Sequence, residues 1–203
     1  MEIGTMVLFA ATVLPLICTP GPDMLFLSAQ ALAGGASAGL RATAGICLGY
    51  MGHSLLVALG LAAIIAASPV LFEALRWLGV AYLIYLASQL IRSAMRSRKL
   101  SLPAERSKAV VRRGFLTAFL NPKGMMIYFA ILPQFMQHEG GIAMQATILS
   151  VIFIGLCGIV YAALSVAIAS ASKRSGFSDR RRRWVEGVAG GVLVVAAGRL
   201  AVN

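Results

Sequence analysis

Thr19-Pro20-Gly21-Pro22-Asp23-Met24 lies inside an apolar run covering residues 3–32, and Asn121-Pro122-Lys123-Gly124-Met125 lies inside another covering 114–136. Proline removes a backbone donor and clashes with the preceding helical turn. Two prolines around a glycine therefore predict a break in the first run, and Asn121-Pro122 predicts one in the second. Freed backbone groups in lipid are tolerated only where protein or a water-filled cavity satisfies them. The breaks thus mark a shielded interior.

Lipid is the solvent that the composition demands. The chain has 203 residues, 59% of them hydrophobic and only 12% charged, with a mean hydropathy of +0.85. Soluble domains carry roughly 25% charged residues, and a chain of this size cannot hide so large an apolar fraction from water. These figures exclude a soluble enzyme, a zinc module and a disordered chain. A helix needs about 20 apolar residues to cross the hydrocarbon core. Six runs meet that need, at 3–32, 41–67, 74–91, 114–136, 142–172 and 184–202. Gly34-Gly35-Ala36-Ser37, Ser68-Pro69 and Gly140-Gly141 punctuate three of the joins, and two basic stretches mark the others.

The net charge of +11 is concentrated in those stretches, between Arg92 and Arg113 and between Lys173 and Arg183. With six spans, fifteen of the 18 Lys and Arg residues fall on one side. Lys and Arg accumulate in cytoplasmic loops, so both termini are expected outside the cytoplasm. Five spans would instead separate the two basic loops. Nucleic acid is not an expected partner, because aromatic and polar groups are not interleaved with the charge. Residues 1–5 contain no Lys or Arg, so the first run reads as a retained helix and not as a cleaved signal. Cys18, Cys47 and Cys157 lie in apolar runs without metal spacing and read as packing residues.

The halves also repeat one another. Pro20 pairs with Pro122, Thr43 with Thr147 and Arg76-Trp77 with Arg183-Trp184, in the same order and at slowly drifting offsets. Three spans per copy is odd, so the second copy must sit upside down. The expected fold is all-α, with six transmembrane helices arranged as two inverted three-helix repeats and helices 1 and 4 broken. One transmembrane domain, 1–203, would comprise repeat 1 at about 1–95, a cytoplasmic basic loop at 96–113 and repeat 2 at about 114–203. Inverted repeats with interrupted helices point to a transporter's binding site.

Pro20, Gly21, Pro22, Asn121 and Pro122 would expose helix-end dipoles there, with N-terminal amides suited to a carboxylate. Asp23 and Lys123 are the ionisable residues at the breaks, where charge in the bilayer carries a cost that suggests a role. One acid and one base suit a zwitterion, with Asp23 receiving its ammonium. Asp23 could instead simply complement a helix start, and the stem of Lys123 could snorkel to the interface. Gln134, after Pro133, is a further candidate cavity residue. Asp23 and His53 are candidates for proton coupling, although a lone His serves equally as a packing partner. Gly45-x-x-x-Gly49 and Gly187-x-x-x-Gly191 match close helix contact, within the bundle or between subunits. Trp77 and Trp184 read as interfacial anchors.

Thr19-Pro20-Gly21-Pro22-Asp23-Met24-Leu25, followed by Gly34-Gly35 and Gly39, resembles the N-terminal signature of the LysE/RhtB family of amino-acid exporters. Phe115-Leu116-x-x-x-Leu120-Asn121-Pro122-Lys123, followed by Leu132-Pro133-Gln134-Phe135, resembles its second signature. The resemblance implies a multi-pass exporter of the bacterial inner membrane, driven by proton antiport, dimeric and without a cofactor. Lys123 after Asn121-Pro122 is more similar to the RhtB branch, which exports homoserine, threonine, leucine and other mostly neutral compounds. The alternative is a small-ion or metal exporter of similar architecture. A channel would need a ring of charges or a carbonyl filter, and an enzyme would need a nucleophile–base or metal constellation. The sequence displays none of these.

Overall fold

The computed structural model describes residues 1–59, 107–136 and 141–174 continuously, with scattered positions between 70 and 95 and between 184 and 198. Apart from those positions, the expected spans 74–91 and 184–202 lie outside the described residues. So do the joins at 60–69 and 137–140 and most of the basic stretches. Among the described residues every regular element is helical.

Helix α1 runs Ile3–Cys18, the chain is extended through Thr19 and Gly21, and α2 restarts at Pro22 and runs to Ala58. Pro22 occupies the first helical position, where its missing N–H costs nothing and its fixed φ favours the helix. The expected join at 34–37 contracts to one residue. Gly35 has φ 73° and ψ −170°, a region that essentially only glycine enters. A Cβ at Gly39 would lie 2.9 Å from that of Ala31. Eight residues along a straight helix span about 12 Å, so the two limbs of α2 fold back on each other at Gly35. The two limbs of α2 are thus separate helices joined at Gly35, where the sequence places the join between spans one and two.

The second half repeats the interruption. Helix α3, Ser107–Phe119, already covers the seven residues before the expected span, and α4, Pro122–Met126, follows after Asn121. It continues through a wide π-type turn, Ile127–Ile131, and a 3-10 turn, Leu132–Phe135. The two arms of this broken rod meet at 52°. Helix α5 is the uninterrupted rod Ile142–Arg174.

Helix α2 is the centre of the bundle, packed on α3 along one side and on α5 along another. A Cβ at Gly49 would lie 2.6 Å from the Phe115 carbonyl, and one at Gly114 would lie 2.6 Å from the Ala42 carbonyl. The α2 and α3 backbones therefore touch, as small residues permit in lipid. Of the two readings open for Gly45-x-x-x-Gly49, contact within the bundle is the one observed. On α1, Phe9, Val13 and Ile17 face the core, while Ile3, Val7, Leu8 and Leu14 are exposed. Val151, Ile159 and Val166 form a similar exposed apolar face on α5. Such faces fit a lipid surround.

Candidate functional site

The first break places Asp23 in the opening turn of α2, and its side chain is fully buried. A buried carboxylate is tolerated only with hydrogen-bond donors around it. Asp23 has three. Tyr50 Oη, from the second limb of α2, donates to Oδ2, and Asn121 Nδ2, from the second break, donates to Oδ1. Tyr161 Oη, from α5, donates to Oδ2 at 3.4 Å. The two proline-interrupted segments thus meet directly, through one carboxylate and one carboxamide. Hydrogen bonds to a charged group are worth about 1.5–3 kcal/mol each, so this cluster also ties four separate segments together.

Asn121 has a second role. Its side-chain oxygen accepts the Lys123 N–H at 3.1 Å, capping α4, while Pro122 fills the first helical position. Asparagine is among the preferred residues at such a start. The second break therefore supplies its own cap, and its first amide is engaged within the protein. At the first break Gly21 stands at the cap position of α2, and no side-chain cap bond is made there.

Lys123 turns toward the first half. Its Nζ donates to the carbonyls of Leu16 and Thr19, both at 3.0 Å. Along an unbroken helix the Leu16 carbonyl would receive the N–H of residue 20, but residue 20 is proline and has none. That carbonyl instead accepts the Thr19 N–H at 3.2 Å in a tightened last turn, and the lysine ammonium adds a second donor at the carbonyl, partially negative end of α1. Its partners are backbone oxygens 107 and 104 positions away in the chain.

His53 is fully buried one ring away from this cluster. It stacks on Phe119 at 4.9 Å between centroids, lies 5.5 Å from Tyr128 and stands edge-on to Phe129 at 5.7 Å. Tyr50 joins the same aromatic group, 4.9 Å from Phe153. His53 is not among the groups bonded to Asp23. Gln134 is exposed on the 3-10 turn and is likewise not one of them.

The residues proposed from sequence therefore divide. Pro20, Gly21, Pro22, Asp23, Asn121, Pro122 and Lys123 form one cluster, His53 is adjacent, and Gln134 lies on an exposed turn. Sequence reasoning missed Tyr50 and Tyr161. The signal was a lone tyrosine in each of the expected second and fifth spans, where a hydroxyl needs a partner. It also missed the contact between the Thr43 and Ser165 hydroxyls, 3.4 Å apart between α2 and α5.

The family model described as LysE type translocator matches residues 14–203. An uncharacterized membrane protein of Pseudomonas aeruginosa is 30% identical over 188 residues, covering 90% of this chain and 86% of its own length. An uncharacterized membrane protein of Bacillus subtilis is 29% identical over 189 residues, covering 88% and 90%. A leucine efflux protein of Klebsiella pneumoniae is 28% identical over 155 residues, covering 74% and 73%. No solved structure matches. The match spans both interrupted segments and the whole helical core around Asp23, and the chain belongs to the LysE-type translocator family of membrane transport proteins.

Proposed function

We propose that this translocator exports small neutral amino acids or close derivatives across the bacterial inner membrane, in exchange for protons. The observation that carries the reading is a buried carboxylate, Asp23, at the point where two interrupted helices meet. The substrate ammonium displaces the Asn121 amide from Asp23, while its carboxylate faces the opening amides of α2, where the helix dipole is positive. Tyr50 and Tyr161 remain as hydroxyl donors that orient Asp23. The leucine efflux relatives support a neutral, leucine-like substrate.

In this mechanism the chain is one domain of six spans, with repeats at about 1–95 and 114–203 joined by the basic segment 96–113 on the cytoplasmic side. The inverted halves rock about the Asp23 cluster and expose it to each side in turn. Asp23 releases its proton to accept substrate from the cytoplasm and takes one up on the far side as substrate leaves. The functional unit is a homodimer, checked by the mass of the purified detergent complex.

Counterflow of labelled leucine, threonine and homoserine into proteoliposomes tests the substrate class. Saturable exchange of at least one is expected. No exchange with any amino acid would overturn the reading in favour of small-ion export. For coupling, Asp23→Asn is expected to abolish the acceleration of export by an imposed pH gradient. An Asp23→Asn protein that still responds to the gradient would remove Asp23 from the proton path.

A further inference from the structure

Two cation-binding positions lie side by side at the first break. One is the Asp23 carboxylate. The other is the pair of carbonyls, Leu16 and Thr19, at the end of α1, and it is already filled by the protein's own ammonium at 3.0 Å from both oxygens. The positions are close, since a Cβ on Gly21, two residues before Asp23, would lie 3.4 Å from Lys123 Nζ. The pair of carbonyls has the chemistry of an ammonium site in its own right. The Leu16 carbonyl, which Pro20 leaves to the Thr19 N–H at 3.2 Å, lies in the last turn at the negative end of the α1 dipole, and the Thr19 carbonyl belongs to the extended residue that follows.

We propose that Lys123 sets the charge selectivity of the translocator, its ammonium standing in for the side-chain cation of a diamino acid and so excluding such substrates. This rests on the amino-acid exporter reading above and deepens it. A substrate with a single ammonium needs only Asp23 and is admitted. Ornithine or lysine brings a second ammonium, finds the carbonyl pair occupied and meets the like charge of Lys123. The role is distinct from capping α1, because a cap alone would affect stability without changing which substrates enter.

The experiment compares wild type, Lys123→Ala, Lys123→Met and Lys123→Arg in proteoliposomes, reading the ratio of labelled ornithine to labelled leucine counterflow. That ratio is expected to rise roughly tenfold or more in the Ala and Met variants and to stay low in the Arg variant, which keeps the charge. Ethylammonium added to Lys123→Ala is expected to refill the vacated carbonyl pair and lower the ratio again. An unchanged ratio in variants that still exchange leucine overturns the proposal and leaves the exporter reading standing. Should the Ala and Met proteins exchange neither substrate, ligand-dependent thermal stabilisation in detergent decides. Ornithine stabilising Lys123→Met but not wild type upholds the proposal, and no difference overturns it. A wild type that exchanges no amino acid overturns both readings.

Discussion

The two interrupted segments are built from the same residue, proline at the first position of a restarted helix, yet they satisfy their loose ends in opposite ways. The second break is completed locally, with the Asn121 carboxamide capping the amide of Lys123 two residues on. The first has no side-chain cap at Gly21, and its exposed carbonyls are met by Lys123 from the other half of the chain. Traffic across the junction runs one way in chemical terms. The second half supplies donors, the Asn121 amide and the Lys123 ammonium, and the first half supplies acceptors, the Asp23 carboxylate and the α1 carbonyls. The two breaks are complementary, and complementarity lets them share one cluster.

Because Asn121 serves both breaks, Asn121→Ala should be the most damaging change short of removing Asp23. It deletes both the bond to a buried carboxylate, about 1.5–3 kcal/mol, and a helix cap of about 1 kcal/mol. Chemical unfolding in detergent is expected to show a loss of about 3 kcal/mol, and a loss below that of a simple cap would mean that the halves are not joined through Asn121. Tyr50→Phe comes next, removing one donor to the same carboxylate at a cost of about 1–3 kcal/mol, read in the same assay. Tyr161→Phe should be the mildest. Its 3.4 Å bond is long, and interhelical hydrogen bonds in membrane proteins average about 0.6 kcal/mol. Reversal of the Tyr50 and Tyr161 order would show that α5, not the second limb of α2, anchors the acid.

The sites of interruption were legible because proline acts on its own backbone and needs no tertiary information. The same is true of the restart residues, Pro22 and Pro122, and of the join around Gly35. What the chain alone did not reveal were contacts made across space. The target of Lys123 is a pair of backbone oxygens, which every residue has and no sequence motif advertises. Tyr50 and Tyr161 sit among apolar neighbours at helical spacing, and only the packing of α2 and α5 turns their hydroxyls toward Asp23. The tightened turn at Leu132–Phe135, on which Gln134 lies exposed, was likewise not legible in the chain. Gly45-x-x-x-Gly49 signalled a close neighbour without saying which, and α3 proved to be that neighbour.

The bond between Lys123 and the end of α1 also bears on how the chain is made. The end of α1 leaves the ribosome more than a hundred residues before the ammonium that completes it. Until then the Thr19 carbonyl must be hydrated or lent a donor by the insertion machinery, since a bare peptide group is not tolerated in hydrocarbon. The first break is therefore an unfinished object in the bilayer, and the newborn protein closes it only when its second half arrives.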